Sequence, residues 1–385
     1  MKKIYINKPG NTTFVMVAVN TGAFNEVDAY KGISHFVEHL CFKGNPKRNQ
    51  EQISSAIDNI GGVLNAFTDW EITAYWAKVG NSYKDLAIDV ISDLATKPIF
   101  PEKEIDKERE VIIQELKMYE DDPKSAVYDL FNKQLYSKES GFYLPIIGTN
   151  ETLNNIKRDN LISYHKEKYN NPTLIVVGNV KNYSTISYPN PKYMPSSLEK
   201  EPKDLLVERK NITQANILIG NSINLTDKFD KIEQSHCLLL LDAVYGDMSG
   251  RLFKTIREKY NMVYRVHFNW DLFSNGFIQW EVSAGLEKEN IAQARDLIIQ
   301  ELIRPISEKD MDIILNKAIG QREMTFDNNI NVGSTIAYSL YKGIDYKEYL
   351  NNYDEYLEKA TEVVNEFIEK MKFNNNILVG IVPEK

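Results

Sequence analysis

Cysteines, long apolar runs and blocks of positive charge are all scarce or missing in this chain of 385 residues. Its two cysteines, Cys41 and Cys237, lie far apart in apolar surroundings, which favours buried free thiols over a disulfide framework. No apolar run is long enough to cross a bilayer, and no segment typical of a secretion signal follows Met1. We therefore expect a cytoplasmic protein without a membrane span.

Positive charge is nowhere concentrated. The formal net charge is −8, and the sequence holds no Arg-rich tail or basic block. Proteins that bind nucleic acids need clustered Lys and Arg side chains to neutralise phosphates. Nucleic acid is therefore excluded as an expected partner.

The composition is that of a globular protein with a large core, because 43% of the residues are hydrophobic and 26% are charged. The length fits two domains. An order of strand, helix, two strands and helices occurs in the first half and again after residue 211. We predict an α+β fold of two related α/β domains, 1–183 and 212–385. The segment 184–211, with four prolines, has the composition of a linker.

The segment 33–40, ISHFVEHL, is the strongest indication of chemistry. Its pattern predicts a helix that carries H-x-x-E-H, and residues three and four apart share one helix face. His35 and His39 can therefore present two imidazoles to one ion, with Glu38 beside them. Neutral imidazoles suit zinc, and an adjacent carboxylate suits a water molecule that zinc has acidified. The motif predicts a zinc hydrolase.

A catalytic zinc site usually has three protein ligands, so a third must come from elsewhere. The remaining histidines, His165, His236 and His267, are isolated in the sequence. A carboxylate is the alternative, and Glu108 and Glu115 lie seven residues apart on one stripe of a predicted helix. A glutamate-rich helix is also typical of a solvated surface. Spacing alone therefore leaves the third ligand open.

The segment 31–44, KGISHFVEHLCFKG, resembles the signature of the pitrilysin/insulinase family of inverted zincin metallopeptidases. The resemblance is to its short-chain branch, with the mitochondrial processing peptidase and bacterial processing proteases. In that family a glutamate about 76 residues after the second histidine is the third ligand, and Glu115 has this spacing from His39. The resemblance implies one Zn²⁺ per chain bound by His35, His39 and Glu115. It also implies that Glu38 is the base and that Glu108 assists.

Two further segments carry the resemblance. The segment 61–68, GGVLNAFT, is similar to the edge strand of the family, which implies that Asn65 and Ala66 bind substrate main chain. The segment 249–264 resembles the arginine–tyrosine segment of the family, which implies that Arg257 and Tyr264 reach towards substrate and oxyanion. Asn261 stands where a glycine is usual. Because Asn tolerates positive φ, we expect the turn to be retained.

The resemblance also implies an architecture and a function. Each domain would be a mostly antiparallel sheet flanked by helices, and the two would form half of a clamshell. Pairing is then expected, as a homodimer or a heterodimer with a related subunit. The implied function is that of a zinc metalloendopeptidase cleaving peptides or presequence and leader segments. The alternatives are a non-catalytic assembly or peptide-binding subunit of the same fold, and a zinc hydrolase of non-peptide amides.

Overall fold

The computed structural model describes residues 1–186 and 203–384. Within them the chain divides into two compact units, and each unit is built from three separate stretches of sequence. The described part of the first unit comprises Met1–Tyr119, 141–186 and Thr325–Tyr346. The described part of the second unit comprises Glu120–Ser140, 203–324 and 347–384.

The strands and helices follow one another along the chain in a mixed order. The strands are β1 (Lys2–Asn7), β2 (Thr12–Val19), β3 (Val63–Thr68), β4 (Thr73–Gly80), β5 (Thr173–Gly178), β6 (Tyr183–Ser184), β7 (Leu205–Arg209), β8 (Ala215–Asn224), β9 (Val263–Leu272), β10 (Phe277–Leu286) and β11 (Ile377–Pro383). The α-helices are α1 (Ile33–Cys41), α2 (Gln50–Asp58), α3 (Lys84–Thr96), α4 (Glu102–Asp121), α5 (Pro123–Leu135), α6 (Asn150–Asn155), α7 (Arg158–Lys168), α8 (Lys231–Tyr245), α9 (Ile291–Ile303), α10 (Glu308–Phe326), α11 (Asn329–Lys342), α12 (Tyr346–Asn351) and α13 (Tyr353–Lys370).

The sheet of the first unit has the strand order β3-β4-β2-β5-β1-β6. Only β1 and β5 pair in parallel, and the other neighbours are antiparallel. The central strand β2 is rich in β-branched residues and is buried from its second residue onwards, as is typical of a strand covered on both faces. β3 lies at one edge of this sheet.

The second sheet repeats this design. Its strand order is β7-β11-β8-β10-β9, and again one pair, β7 and β11, is parallel. The edge hairpin β3–β4 corresponds to β9–β10, and β2, β5 and β1 correspond to β8, β11 and β7. The prediction of one mostly antiparallel α/β design used twice is confirmed.

Two helices each pack in the unit that is formed mainly by the opposite half of the sequence. Helix α5 comes from the first half and belongs to the second unit, and α11 comes from the second half and belongs to the first unit. Helix α5 packs on β8 and β11, and α11 packs on β2 and β5. The α11 contact is close, because a Cβ added at Gly333 would lie 2.2 Å from the ring of Phe14. The predicted boundaries, 1–183 and 212–385, differ from the observed units at these helices. An amphipathic helix reveals which of its faces is buried, but not which sheet covers that face.

The predicted linker, 184–211, is partly regular structure. Ser184 belongs to β6, and Leu205–Arg209 forms β7, which pairs in parallel with β11. The prediction missed this short strand because its apolar residues stand next to a charged, proline-rich segment. The middle of the predicted linker, 187–202, lies outside the described residues.

The expectations from cysteine content and apolar runs can be compared with the structure directly. Cys41 and Cys237 are buried and free, as predicted. Burial raises the pKa of the Cys41 thiol to about 12, so this thiol is inert near neutral pH. Among the helices of 1–186 and 203–384, none combines the length and apolarity needed to cross a membrane.

Candidate metal centre

Two glycines fix the point at which α1 begins. Gly32 precedes the helix with φ 93°, and a Cβ there would lie 2.4 Å from the carbonyl oxygen of Ile147. Gly148 has φ 84°, and a Cβ there would lie 2.3 Å from the carbonyl oxygen of Lys31. Only glycine permits both the left-handed conformation and this close approach of two backbones. The start of the motif helix is therefore held against the segment around residue 148.

A buried carboxylate binds the N-terminal end of α1. Glu26 accepts hydrogen bonds from the backbone N–H groups of Gly32, at 2.9 Å, and Ser34, at 2.7 Å. Burial raises the pKa of Glu26 to about 7, although both N–H donors and the nearby Lys31 favour its charged form. An acidic group at this end also complements the helix dipole. Glu26 thus helps to orient the helix that carries the motif.

The substitution Glu26→Gln is expected to lower the free energy of unfolding by about 1–3 kcal/mol, because a Gln amide group would face a backbone N–H that then lacks an acceptor. Urea denaturation at neutral pH measures this change. Glu51→Gln, at an exposed position in the first turn of α2, is the matched control and should have little effect. Equal stability of the Glu26 variant and the wild type would contradict the assigned role.

Three expected metal ligands meet on one side of α1. His35 and His39 lie one turn apart, with ring centroids separated by 4.4 Å. Helix α4 brings Glu115 Oε2 to 3.8 Å from His35 Nε2 and 3.5 Å from His39 Nε2. One ligand atom from each residue lies within 4.8 Å of the others, and no second cluster of this kind is found among the described residues. Residues that lie 76 positions apart in the sequence, His39 on α1 and Glu115 on α4, are thus neighbours in the structure.

The other histidines lie apart from this cluster. His165 Nε2 contacts the carbonyl oxygen of Ala95, and His236 Nδ1 contacts that of Ile232. His267 lies in β9 of the second unit. The structure therefore places Glu115 beside the two motif histidines. None of the three isolated histidines lies in this cluster.

The arrangement around the cluster fits zinc. His39 Nδ1 lies 2.9 Å from Glu108 Oε1 and donates to it, so the neutral form of His39 has its lone pair on Nε2, which faces Glu115. Lys43 Nζ lies 2.5 Å from the other oxygen of Glu108. Histidines that bind metals commonly donate their second N–H to a carboxylate in this way. Two imidazole nitrogens and one carboxylate oxygen are the donor set of many catalytic zinc sites.

The pKa values of the two motif histidines shift in opposite directions. Burial and the neighbouring His39 lower the pKa of His35 to about 3, which keeps its imidazole neutral. Burial alone would lower the pKa of His39, but the hydrogen bond with Glu108 and nearby carboxylates raise it. Burial would raise the pKa of Glu108, but its bonds to His39 and Lys43 lower it. Glu108 therefore stays ionised and can hold His39 in one orientation.

Glu38 lies beside the cluster as a buried carboxyl group. Burial raises its pKa to about 7, and the Thr68 hydroxyl donates a 2.7 Å hydrogen bond to Glu38 Oε2. A carboxyl group with a pKa near the working pH suits both the uptake and the return of a proton. Sequence reasoning did not give Thr68 a role, because no local pattern connects it with a side chain 30 residues away.

The predicted substrate segment forms the free edge of the first sheet. β3 pairs with β4, and no other described strand lies beside it. The N–H of Ala66 bonds to Asn65 Oδ1 at 2.8 Å, so this N–H points away from β4. Such an edge can accept an additional strand.

The second predicted pair lies in the second unit, and its members contact each other. Arg257 belongs to a π-helical segment, Phe253–Lys259, and its Cζ lies 4.8 Å from the ring centroid of Tyr264. Tyr264 is 67% exposed. Asn261 has φ 52°, which confirms that the turn is retained without a glycine. The roles of Arg257 and Tyr264 stay predictions.

Comparisons with known proteins agree with the geometry. The profile of insulinase (peptidase family M16) matches residues 3–148, and that of the peptidase M16 inactive domain matches 155–316. A protein of Bacillus subtilis named as an uncharacterized zinc protease is 34% identical over 65% of this chain and 63% of its own length. An uncharacterized zinc protease of Streptomyces coelicolor is 31% identical over 78% of this chain and 69% of its own length.

A solved structure shows the same fold. The crystal structure of a protease from Helicobacter pylori superposes on this chain with a TM-score of 0.87. The match includes 99% of this chain and 96% of the Helicobacter pylori chain. The sequence identity is 17%, so this likeness concerns the fold alone. Two family profiles that together span most of the sequence, and relatives named as zinc proteases, lead to one conclusion: the chain belongs to the insulinase (M16) family of peptidases.

Proposed function

We propose that the protein is a zinc metalloendopeptidase that cleaves peptides, including presequence or leader segments, bound in an extended form. The observation that carries this proposal is the convergence of His35, His39 and Glu115, with Glu38 held beside them. Bound zinc would supply a Lewis acid that polarises a peptide carbonyl and acidifies water. Glu38 takes a proton from the attacking water and later returns it to the leaving nitrogen. Glu108 keeps His39 in its binding orientation.

The free edge of β3 supports an extended substrate. A peptide that adds as a further strand would pair with the outward N–H and C=O of Ala66, and Asn65 would exchange its local bond for substrate main chain. Main-chain pairing holds many sequences in the same conformation. Preference for particular side chains would then come from pockets beside the edge.

The proposal is tested with a pool of peptides that fluoresce when cut. The wild-type protein should cleave internal bonds, lose this activity after dialysis against a chelator, and regain it with one equivalent of Zn²⁺. Cleavage that survives complete metal removal would contradict the proposal. A protein that holds zinc but cleaves nothing would favour the alternative, a non-catalytic peptide-binding subunit of this fold.

Thr68→Val is expected to lower kcat by roughly tenfold, because it removes the donor that orients Glu38 while nearly preserving shape. Thr68→Ser keeps the hydroxyl and should restore most of the turnover. Zinc content and KM should change little in either variant. If the Ser variant is as impaired as the Val variant, the threonine acts through packing and the hydrogen bond has no part in catalysis.

We also propose that the protein pairs, with a second copy or a related subunit, and that Arg257 and Tyr264 serve the partner's zinc site. In a homodimer, Arg257→Ala and Glu38→Gln chains should each be nearly inactive alone. After mixing and exchange, random pairing should restore about a quarter of the wild-type activity. No recovery in dimers shown to have exchanged would place Arg257 in its own chain's site. If native mass spectrometry showed only a monomer, the proposed pairing would be contradicted.

A further inference from the structure

A cavity of about 370 Å³ lies in the second unit, between α5 and one face of the sheet formed by β8, β10 and β9. Val127 from α5 and Leu218 from the sheet provide apolar walls. Its volume is at the lower end of the range for small-molecule sites and suits one or two residues of a peptide. The family resemblance assigns a role to one lining residue, Tyr264, but none to the cavity itself.

A β-bulge shapes the cavity. Ala284 pairs with Val266 but Leu286 pairs with Val263, so Gly285 stands opposite two residues of β9, Tyr264 and Arg265. Both of these side chains are exposed and line the cavity. Bulges redirect side chains and are frequent beside binding sites.

Gly285 keeps this space open. A Cβ added there would meet nothing closer than 3.8 Å, its nearest neighbour being Gln214 Oε1. A Cβ at this position therefore clashes with no neighbouring atom. The cavity exists partly because the strand has no side chain at Gly285, which makes a steric test possible.

The charge around the cavity has one sign. Two cationic side chains, Lys124 and Arg265, line it together with the imidazole of His267, and no carboxylate is among the lining residues. None of the three forms an ion pair with another described residue, although the chain as a whole carries a net charge of −8. Arg265 contacts the ring of Tyr264, at 5.8 Å from its centroid. Unpaired cations around a partly apolar cavity favour an anionic ligand with an apolar body.

The buried acid nearest along the strand does not cancel this charge. Glu281 lies on the same face of β10 as Ser283 and Gly285, since alternate residues share a face. Burial, together with the neighbouring Asp271, raises the pKa of Glu281 to about 8. Glu281 is therefore mostly neutral at pH 7.

We propose that this cavity binds a carboxylate-bearing residue of a peptide, with the carboxylate between Lys124 and Arg265 and the apolar part against Leu218. The choice of a peptide rests on the proposed function. The carboxylate is either the free C-terminus or an acidic side chain, and both offer the same two oxygens. Binding at this site needs neither zinc nor cleavage.

The test uses isothermal titration calorimetry on full-length protein carrying Glu38→Gln, so that no probe is cut. Three hexapeptides without other charges are compared: one ends in Phe with a free carboxylate, the second is its C-terminal amide, and the third is that amide with one internal Glu. Titrations are repeated with Lys124→Gln/Arg265→Gln, with Gly285→Val, which fills the cavity, and with Lys309→Gln, an exposed basic control in the same unit.

The free-carboxylate peptide, the Glu peptide or both should bind at least about tenfold more tightly than the plain amide, as expected for charge-assisted hydrogen bonds. The double variant and Gly285→Val should abolish this difference, and Lys309→Gln should preserve it. Which peptide benefits identifies the source of the carboxylate. Equal binding of all three peptides, or a preference unchanged in both cavity variants, would overturn the proposal. Because binding is measured without turnover, this result is independent of whether the protein proves to be a peptidase.

Discussion

Glu38→Gln should leave zinc bound and slow peptide hydrolysis by about 10²–10⁴-fold, the range for loss of a general acid–base group. Gln has nearly the same shape, and its carbonyl oxygen can still accept the bond from Thr68. It cannot take up a proton from water. The fold and the three ligands are therefore retained while the proton transfer is lost.

Single-turnover cleavage of a quenched peptide, with zinc measured by mass spectrometry on the same samples, checks this expectation. Glu110→Gln is a matched control, because Glu110 lies on the exposed side of α4. It should behave as the wild type. If the Glu38 variant and the wild type had equal turnover, Glu38 could not be the general base.

Zinc affinity should fall further when Glu115 is changed than when Glu108 is changed. Glu115→Gln replaces a charged ligand oxygen with a neutral one, and Glu115→Ala removes the ligand from the cluster. We expect losses in affinity greater than about 100-fold, beyond the roughly 10- to 100-fold range typical when a residue behind a ligand is changed. Glu108→Gln, which acts through His39, should lie within that smaller range.

Competition with a chromophoric chelator gives these affinities directly. The expected order of loss is Glu115→Ala, then Glu115→Gln, then Glu108→Gln, with Glu110→Gln unchanged. If Glu108→Gln were to lose more zinc than Glu115→Ala, the two glutamates would have to exchange roles. Circular dichroism on each variant ensures that the losses come from the site and not from unfolding.

The sequence was most informative where the chemistry depends on local spacing. The motif residues His35, Glu38 and His39 share a helix face because of helical geometry alone, and the structure has the helix where it was predicted. The repeated order of strand, helix and two further strands also matches β2 to β4 and β8 to β10. Glu115 needed more than spacing, because a glutamate on a charged helix does not reveal which helix it will face. The family resemblance supplied that pairing.

The features that were missed depend on contacts between distant parts of the chain. Helix α5 packs on the second sheet and α11 packs on the first. The hydrophobic periodicity of a helix does not indicate which sheet it covers. Thr68 is connected with Glu38 only after β3 lies beside α1. The cationic cavity depends on a bulge that places two residues of β9 opposite Gly285, and a single sequence does not show the register between strands.

A crystal grown with zinc, with diffraction collected at the zinc absorption edge, tests the central claim most directly. The account predicts an anomalous peak in the first unit, bonded to His35 Nε2, His39 Nε2 and a Glu115 carboxylate oxygen at about 2.0–2.2 Å. A peak at another place, or a peak at the two histidines with the Glu115 carboxylate turned away, would contradict it.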